Sequence, residues 1–156
     1  MLILIRRILL LTVVLCSMGA SASPVVTLTL KGDFEDNYQA VSTALEENRF
    51  FVVFEPNIGR SISSFEERWG EDYNRNGFEN IRSLVFCNPW YVNQVLNKDP
   101  KMSAICPLSV TLLHKDNNTD IHFLRPSALN PTSPAQSILQ ELEADILKAL
   151  YQSGAK

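Results

Sequence analysis

Leu108 to Leu124 reads LSVTLLHKDNNTDIHFL, and this stretch decides the fold class. Leu108, Val110 and Leu112 alternate with Ser109 and Thr111, the period-2 pattern of a strand with one buried face. Ile121 to Leu124 is a second strand. Between them lies Lys115 to Asp120 (KDNNTD), rich in Asn and Asp, which tolerate positive φ and close hairpins. An antiparallel hairpin is therefore expected here, with His114 and His122 on its two arms. A three-residue loop would bring the histidines face to face. A two- or four-residue loop would send them to opposite faces, because side chains alternate along a strand.

Working outward, Ser133, Pro134 and Gln136 form an N-cap, a first-turn proline and a capping-box partner. They predict a helix to about Tyr151 that buries Ile138, Leu142, Ile146 and Leu150, with Gly154 just beyond it. Arg125 to Thr132 carries two prolines and reads as a crossing loop. Towards the N-terminus, Ile81 to Phe86 is a strand. Asn88 and Pro89 then open a helix over residues 90–97, and Pro100 makes a turn. Val25 to Leu30 alternates as a strand. Asp33, with Asp36 three residues on, caps a helix over residues 34–48 whose Phe34, Tyr38, Val41 and Leu45 recur at helical spacing. Phe50 to Phe54 (FFVVF) is a continuous apolar run, the pattern of a strand central in a sheet or buried on both faces. Ser61 to Trp69 reads as a short helix, and Glu71 to Glu79 as a polar loop.

The expected order is β-α-β-(α)-β-α-β-β-α. It specifies an α+β fold: a single two-layer domain with a mainly antiparallel sheet and helices packed on one face.

The chain's start is of a different kind. Arg6 and Arg7 precede an apolar run from Ile8 to Cys16, and small residues follow. Ala20-Ser21-Ala22 fits an A-x-A cleavage site, so residues 1–22 read as a secretory signal peptide and residues 23–156 as the domain. The run is too short for a transmembrane helix, which needs about 20 residues. Cys16 follows bulky Val14 and Leu15, so it reads as an apolar filler and not as a lipid-attachment site. The expected location is the periplasm or the exterior. Of the 156 residues, 14 are Lys or Arg and 17 are Asp or Glu. Without the two leader arginines the net charge is about −5. An acidic domain lacking a basic cluster does not suit nucleic acid. No second apolar segment is long enough to span a membrane.

Three arrangements bear on chemistry. In Phe86-Cys87-Asn88-Pro89 a thiol sits where a strand hands over to a helix. Asn88 and Pro89 are accounted for by capping, whereas the helix dipole would lower the pKa of a free Cys87. Cys106-Pro107 opens the next strand. In an oxidising compartment the two cysteines are either a structural disulfide, two unpaired thiols, or a redox or soft-metal pair. There is no C-x-x-C. His114 and His122 alone would make a weak metal site. Asn117-Asn118-Thr119 also matches the short glycosylation sequon. G-x-S-x-G, H-E-x-x-H, the phosphate loop and the dinucleotide fingerprint are all missing. The residues nominate no catalytic group and no cofactor.

The segment Ser83-Leu84-Val85-Phe86-Cys87-Asn88-Pro89, followed by Val95-Leu96, Asp99-Pro100 and Cys106-Pro107-Leu108-Ser109-Val110, resembles the bacterial domain-of-unknown-function 302 family. That family shows a strand ending in Cys-Asn-Pro, a helix with a late Leu, an Asp-Pro turn and a Pro-Cys pair opening a strand. Here Pro107 follows Cys106 instead of preceding it. The element order agrees over about residues 30–150. The resemblance implies a compact α+β domain like one copy of the TATA-binding-protein fold, which carries no implication about DNA. It supplies no catalytic residues and directs attention to Cys87, Asn88, Pro89 and Cys106. The functional expectation is a non-catalytic binding module for a small molecule or protein, with a concave or apolar patch near Trp69 and Tyr73. The alternative is a thiol-dependent redox or metal-binding protein.

Overall fold

The computed structural model describes residues 23–156. The expected leader, with its cleavage residues Ala20 and Ala22, lies outside the described residues. The elements are β1 (Val25–Lys31), α1 (Phe34–Glu47), β2 (Phe51–Phe54), α2 (Ile58–Ser63), α3 (Glu66–Trp69), β3 (Asn80–Cys87), α4 (Pro89–Lys98), β4 (Leu108–Lys115), β5 (Asn118–Leu124), α5 (Pro126–Leu129) and α6 (Gln136–Gln152). Short 3-10 segments occupy Gly70–Asp72 and Pro100–Ile105. The five strands form one antiparallel sheet in the order β1-β5-β4-β3-β2.

The register places the apolar residues in rows across one face. Val26, Phe123, Val110 and Leu84 are successive neighbours, as are Leu28, Ile121 and Leu112. Phe34, Tyr38, Val41 and Leu45 of α1 close on these rows with Leu142, Ile146, Ala149 and Leu150 of α6. Tyr91 of α4 joins the same core, which is the expected two-layer α+β arrangement.

The hairpin turn is tighter than the sequence pattern implies. Lys115 pairs with Asn118, leaving only Asp116 and Asn117 in the turn, with φ of 50° and 59°. Two residues with positive φ make the primed turn whose twist matches the strands. His114 therefore faces the core beside Thr119, and His122 lies on the opposite, uncovered face. His114 Nδ1 sits 2.9 Å from Thr119 Oγ1, which accepts a hydrogen bond from Asn37 Nδ2 at the same distance.

Several expectations are corrected. The FFVVF strand is an edge strand, not a central or doubly buried one. Only Phe50, which precedes β2, is fully buried, whereas Val53 and Phe54 are 62% and 63% exposed. An apolar run reports strand propensity but not position in the sheet, which long-range pairing decides. This edge is blunted. β2 is four residues long, its register shifts between Val52 and Phe54, and the Val52 N–H donates to Glu46 Oε1 at 2.6 Å. Short length, irregularity and a charged group on the edge all oppose pairing with another chain. The single helix over residues 61–69 is two short helices, α2 and α3. The 125–132 loop contains α5. α6 begins at Gln136, with Ala135 in the N-cap position and no side-chain cap. Ser133 Oγ instead accepts from Ala135 N and donates to Asp99 Oδ2. Asp33 caps α1 alone, and Asp36 contributes its backbone N–H.

Glu143 of α6 is buried and held by Arg125 and by the Ser127 hydroxyl. Glu143→Ala would strand the Arg125 charge and cost about 3 kcal/mol, read as a lower urea midpoint with an unchanged m-value. Glu46→Ala frees the Val52 N–H of an apolar edge. Stronger concentration-dependent association than in the parent chain is expected in sedimentation velocity.

Candidate functional site

Three segments converge at the end of β3: the β3–α4 junction, the α1–β2 turn and the middle of α6. The Asn88 side chain accepts from the N–H groups of Trp90 and Tyr91, and Pro89 holds the first helical position. Local capping chemistry thus sets the direction in which α4 leaves the sheet. Cys87, the last residue of β3, is disulfide-bonded to Cys106, with the Cα atoms 6.2 Å apart. The bridge closes 19 residues of sequence and ties the end of β3 to the start of β4. Loop closure of this size contributes about 3 kcal/mol. Of the states open to the sequence, Cys87 and Cys106 are joined as a disulfide and are not two unpaired thiols. Pro107 follows across a cis peptide bond.

Two hollows flank the junction. Inside, Phe86, Cys87, Val95, Met102, Ile105 and Cys106 surround an apolar void of only about 20 Å³, room for one water-sized body. Outside is an open cleft of about 450 Å³. Its aromatic walls are Trp90, 55% exposed, and Phe51, 48% exposed. Phe51 is the cross-strand partner of Cys87, so the disulfide-tied strand end positions both walls. Buried Tyr91 forms the floor, stacked with Phe50 at a centroid distance of 6.4 Å. Its hydroxyl donates to Asp145 Oδ2 at 2.6 Å. Burial, then the bond to this carboxylate, pushes the Tyr91 phenol well above its ordinary value. Arg49 at the α1–β2 turn and Glu141 and Asp145 on α6 complete the rim. None of the three takes part in an ion pair among the described residues.

A second, polar cleft of about 290 Å³ lies under the long β2–β3 connection, lined by Asn57, Arg60, Tyr73, Asn74 and Glu79 among others. Tyr73 is thus in a cleft, as the sequence suggested. Trp69 instead stacks on Phe65, ring centroids 5.0 Å apart, on an exposed face of the connection. The described residues hold no group of three or more His, Cys, Asp or Glu side chains placed to bind a metal ion.

Sequence reasoning located Cys87, Asn88, Pro89, Cys106 and Pro107 but not the cleft beside them. Arg49, Phe51, Glu141 and Asp145 are scattered through the chain and carry no local spacing signal. The positive φ of Arg49, 64°, became visible only with the backbone.

This architecture is that of a known family of small α+β domains. The chain matches the family described as Domain of unknown function DUF302 over residues 26–152, and it belongs to that family. It is similar in fold to the crystal structure of an uncharacterized conserved DUF302 protein from Bacillus stearothermophilus. The TM-score is 0.71 at 17% identity, covering 85% of this chain and 99% of that one. No curated protein matches the chain.

Two measurements check the site. Cys87→Ser with Cys106→Ser is expected to lower stability by about 3 kcal/mol in urea titration while keeping the native circular dichroism spectrum. The raised pKa of Tyr91 means that the folded state holds its proton longer. That stabilisation is present below about pH 10 and is lost as pH rises above it. Titration at 295 nm should show two phenols ionising later than an ordinary tyrosine, Tyr91 and Tyr38, the latter held up by burial and its bond to Glu55. Tyr91→Phe should remove one of the two.

Proposed function

We propose that the mature protein is an exported, periplasmic, non-catalytic binding module that presents the Trp90–Phe51 cleft to a small molecule or to a group on a partner. The observation that carries this reading is that cleft. It falls in the size range of small-molecule sites, and its large aromatic surfaces are left exposed. It is also built on an element that the disulfide makes rigid. The leader-like N-terminus supports export, since a disulfide persists in an oxidising compartment. Among the described residues no helix is long and apolar enough to cross a membrane.

The test is to express the full chain with its leader and recover the protein from the periplasm. N-terminal sequencing is expected to begin at Ser23, and alkylation without reductant is expected to label no cysteine. Trp69→Phe leaves Trp90 as the only tryptophan, and screening that variant by fluorescence against small-molecule panels should find a ligand that moves its emission. A start at Met1 removes the export reading. A Trp90 signal that no panel member moves removes the binding reading.

A thiol-dependent role is the second reading, because Cys87 and Cys106 are each partly exposed and adjoin the N-terminus of α4. Reduction by an external dithiol would give two thiols on this protein and a disulfide on the donor. Equilibration with glutathione buffers separates the readings: a potential below about −300 mV marks a structural bridge, and one near −200 mV an exchangeable one.

A further inference from the structure

α1 ends in a Schellman motif. The Phe50 N–H donates to Leu45 O and the Arg49 N–H to Glu46 O, both at 2.9 Å, with Arg49 in the left-handed region at φ 64°. Glycine is the residue such a position favours, because any side chain there is strained. Here the position carries the longest cationic side chain, on the rim of the aromatic cleft. Across the same cleft stand Glu141 and Asp145, one helical turn apart on α6, with Asp145 fixed by the Tyr91 hydroxyl. The opposite charges line one cleft but do not pair with each other.

We propose that this cleft takes a zwitterionic ligand with an apolar body, a free α-amino acid with an aromatic or aliphatic side chain. The proposal rests on the binding-module reading. The Arg49 guanidinium receives the ligand carboxylate, for which its planar fork is matched. Glu141 and Asp145 receive the ammonium, which the face of Trp90 also attracts. The side chain packs against Phe51 and Trp90, whose exposed surface it removes from water. Every class of group on the rim then has a complement on one small molecule. A ligand of a single charge would leave one side of the rim unmatched.

The test uses mature, disulfide-bonded protein carrying Trp69→Phe, with the Trp90 indole resonance as the reporter. The probes are L-phenylalanine, L-phenylalaninamide (no carboxylate), N-acetyl-L-phenylalanine (no ammonium) and maltose (an uncharged polyol). L-phenylalanine is expected to shift the resonance saturably, with each masked analogue at least about tenfold weaker. Arg49→Gly is the decisive variant. Relief of the left-handed strain should raise Tm by about 3 °C, while binding of L-phenylalanine falls about tenfold and that of the amide is unchanged. A variant that becomes more stable and binds less cannot owe its loss to misfolding. Glu141→Gln should weaken L-phenylalanine and spare the N-acetyl form. Equal affinity for L-phenylalanine and its masked analogues, or binding of maltose alone, overturns the zwitterion assignment and leaves the cleft as a binding site. A Trp90 resonance that none of the four probes moves overturns the zwitterion assignment, and the reading of the cleft itself then falls only if the broader small-molecule panels also leave Trp90 unmoved.

Discussion

The pairing register of β4 with β5 is the constraint on which the rest of the structure depends. These strands sit second and third in the sheet, and Asp116-Asn117 is the whole of the turn between them. A slip of one residue by β5 would turn Ile121 and Phe123 out of the core and bring His122 in, and a slip by β4 would exchange Val110 and Leu112 for Thr111. With the register set, β1 adds to one side and β3 to the other, and the apolar rows become one surface. α1 and α6 then have a single face to cover. The opposite face mixes Thr27, Thr29, Ser109, Thr111, Asp120 and His122 with apolar Val25, Val85, Leu113 and Leu124, and Val25 and Leu124 are exposed there.

Polar groups inside the structure serve this layering. His114 faces inward because of the turn, and it is tolerated there through Thr119 and Asn37. Arg82 at the sheet's end lies 4.3 Å over the Tyr38 ring and pairs with Glu35 of α1. Glu143 is buried with Arg125 and Ser127 as partners. His114 and Glu143 follow the rule that a buried polar group persists only with its hydrogen-bond partners, whereas Arg82 satisfies one guanidinium nitrogen on Glu35 and leaves its buried Nε without a partner.

The candidate site joins features of unlike origin. The Cys87–Cys106 bridge and the Asn88 cap make one strand–helix junction rigid. A Schellman motif delivers Arg49 to the same place from the other end of α1, and two consecutive turns of α6 deliver the carboxylates. Well-packed elements supply the walls and a strained turn supplies the cation, so on the proposed reading stability and recognition pull in opposite directions at Arg49.

The sequence by itself determined the order of the five strands and of α1, α4 and α6, the α4 cap at Asn88-Pro89 and the inner face of β4. It determined the helical face of α1 and most of that of α6, where Leu139 and not Ile138 is the fully buried residue. Periodicity and capping are local properties, and local chemistry specifies them. It also marked Cys87 and Cys106, though not that they meet. Only the tertiary structure decided that FFVVF is an edge, because pairing partners lie far along the chain. It decided that the hairpin turn has two residues and so parts His114 from His122, since Lys115-Asp-Asn-Asn-Thr-Asp120 permits several turns. And it alone assembled Arg49, Phe51, Trp90, Glu141 and Asp145 into a cleft, because a site drawn from three separate segments has no spacing in one dimension that a linear pattern can carry.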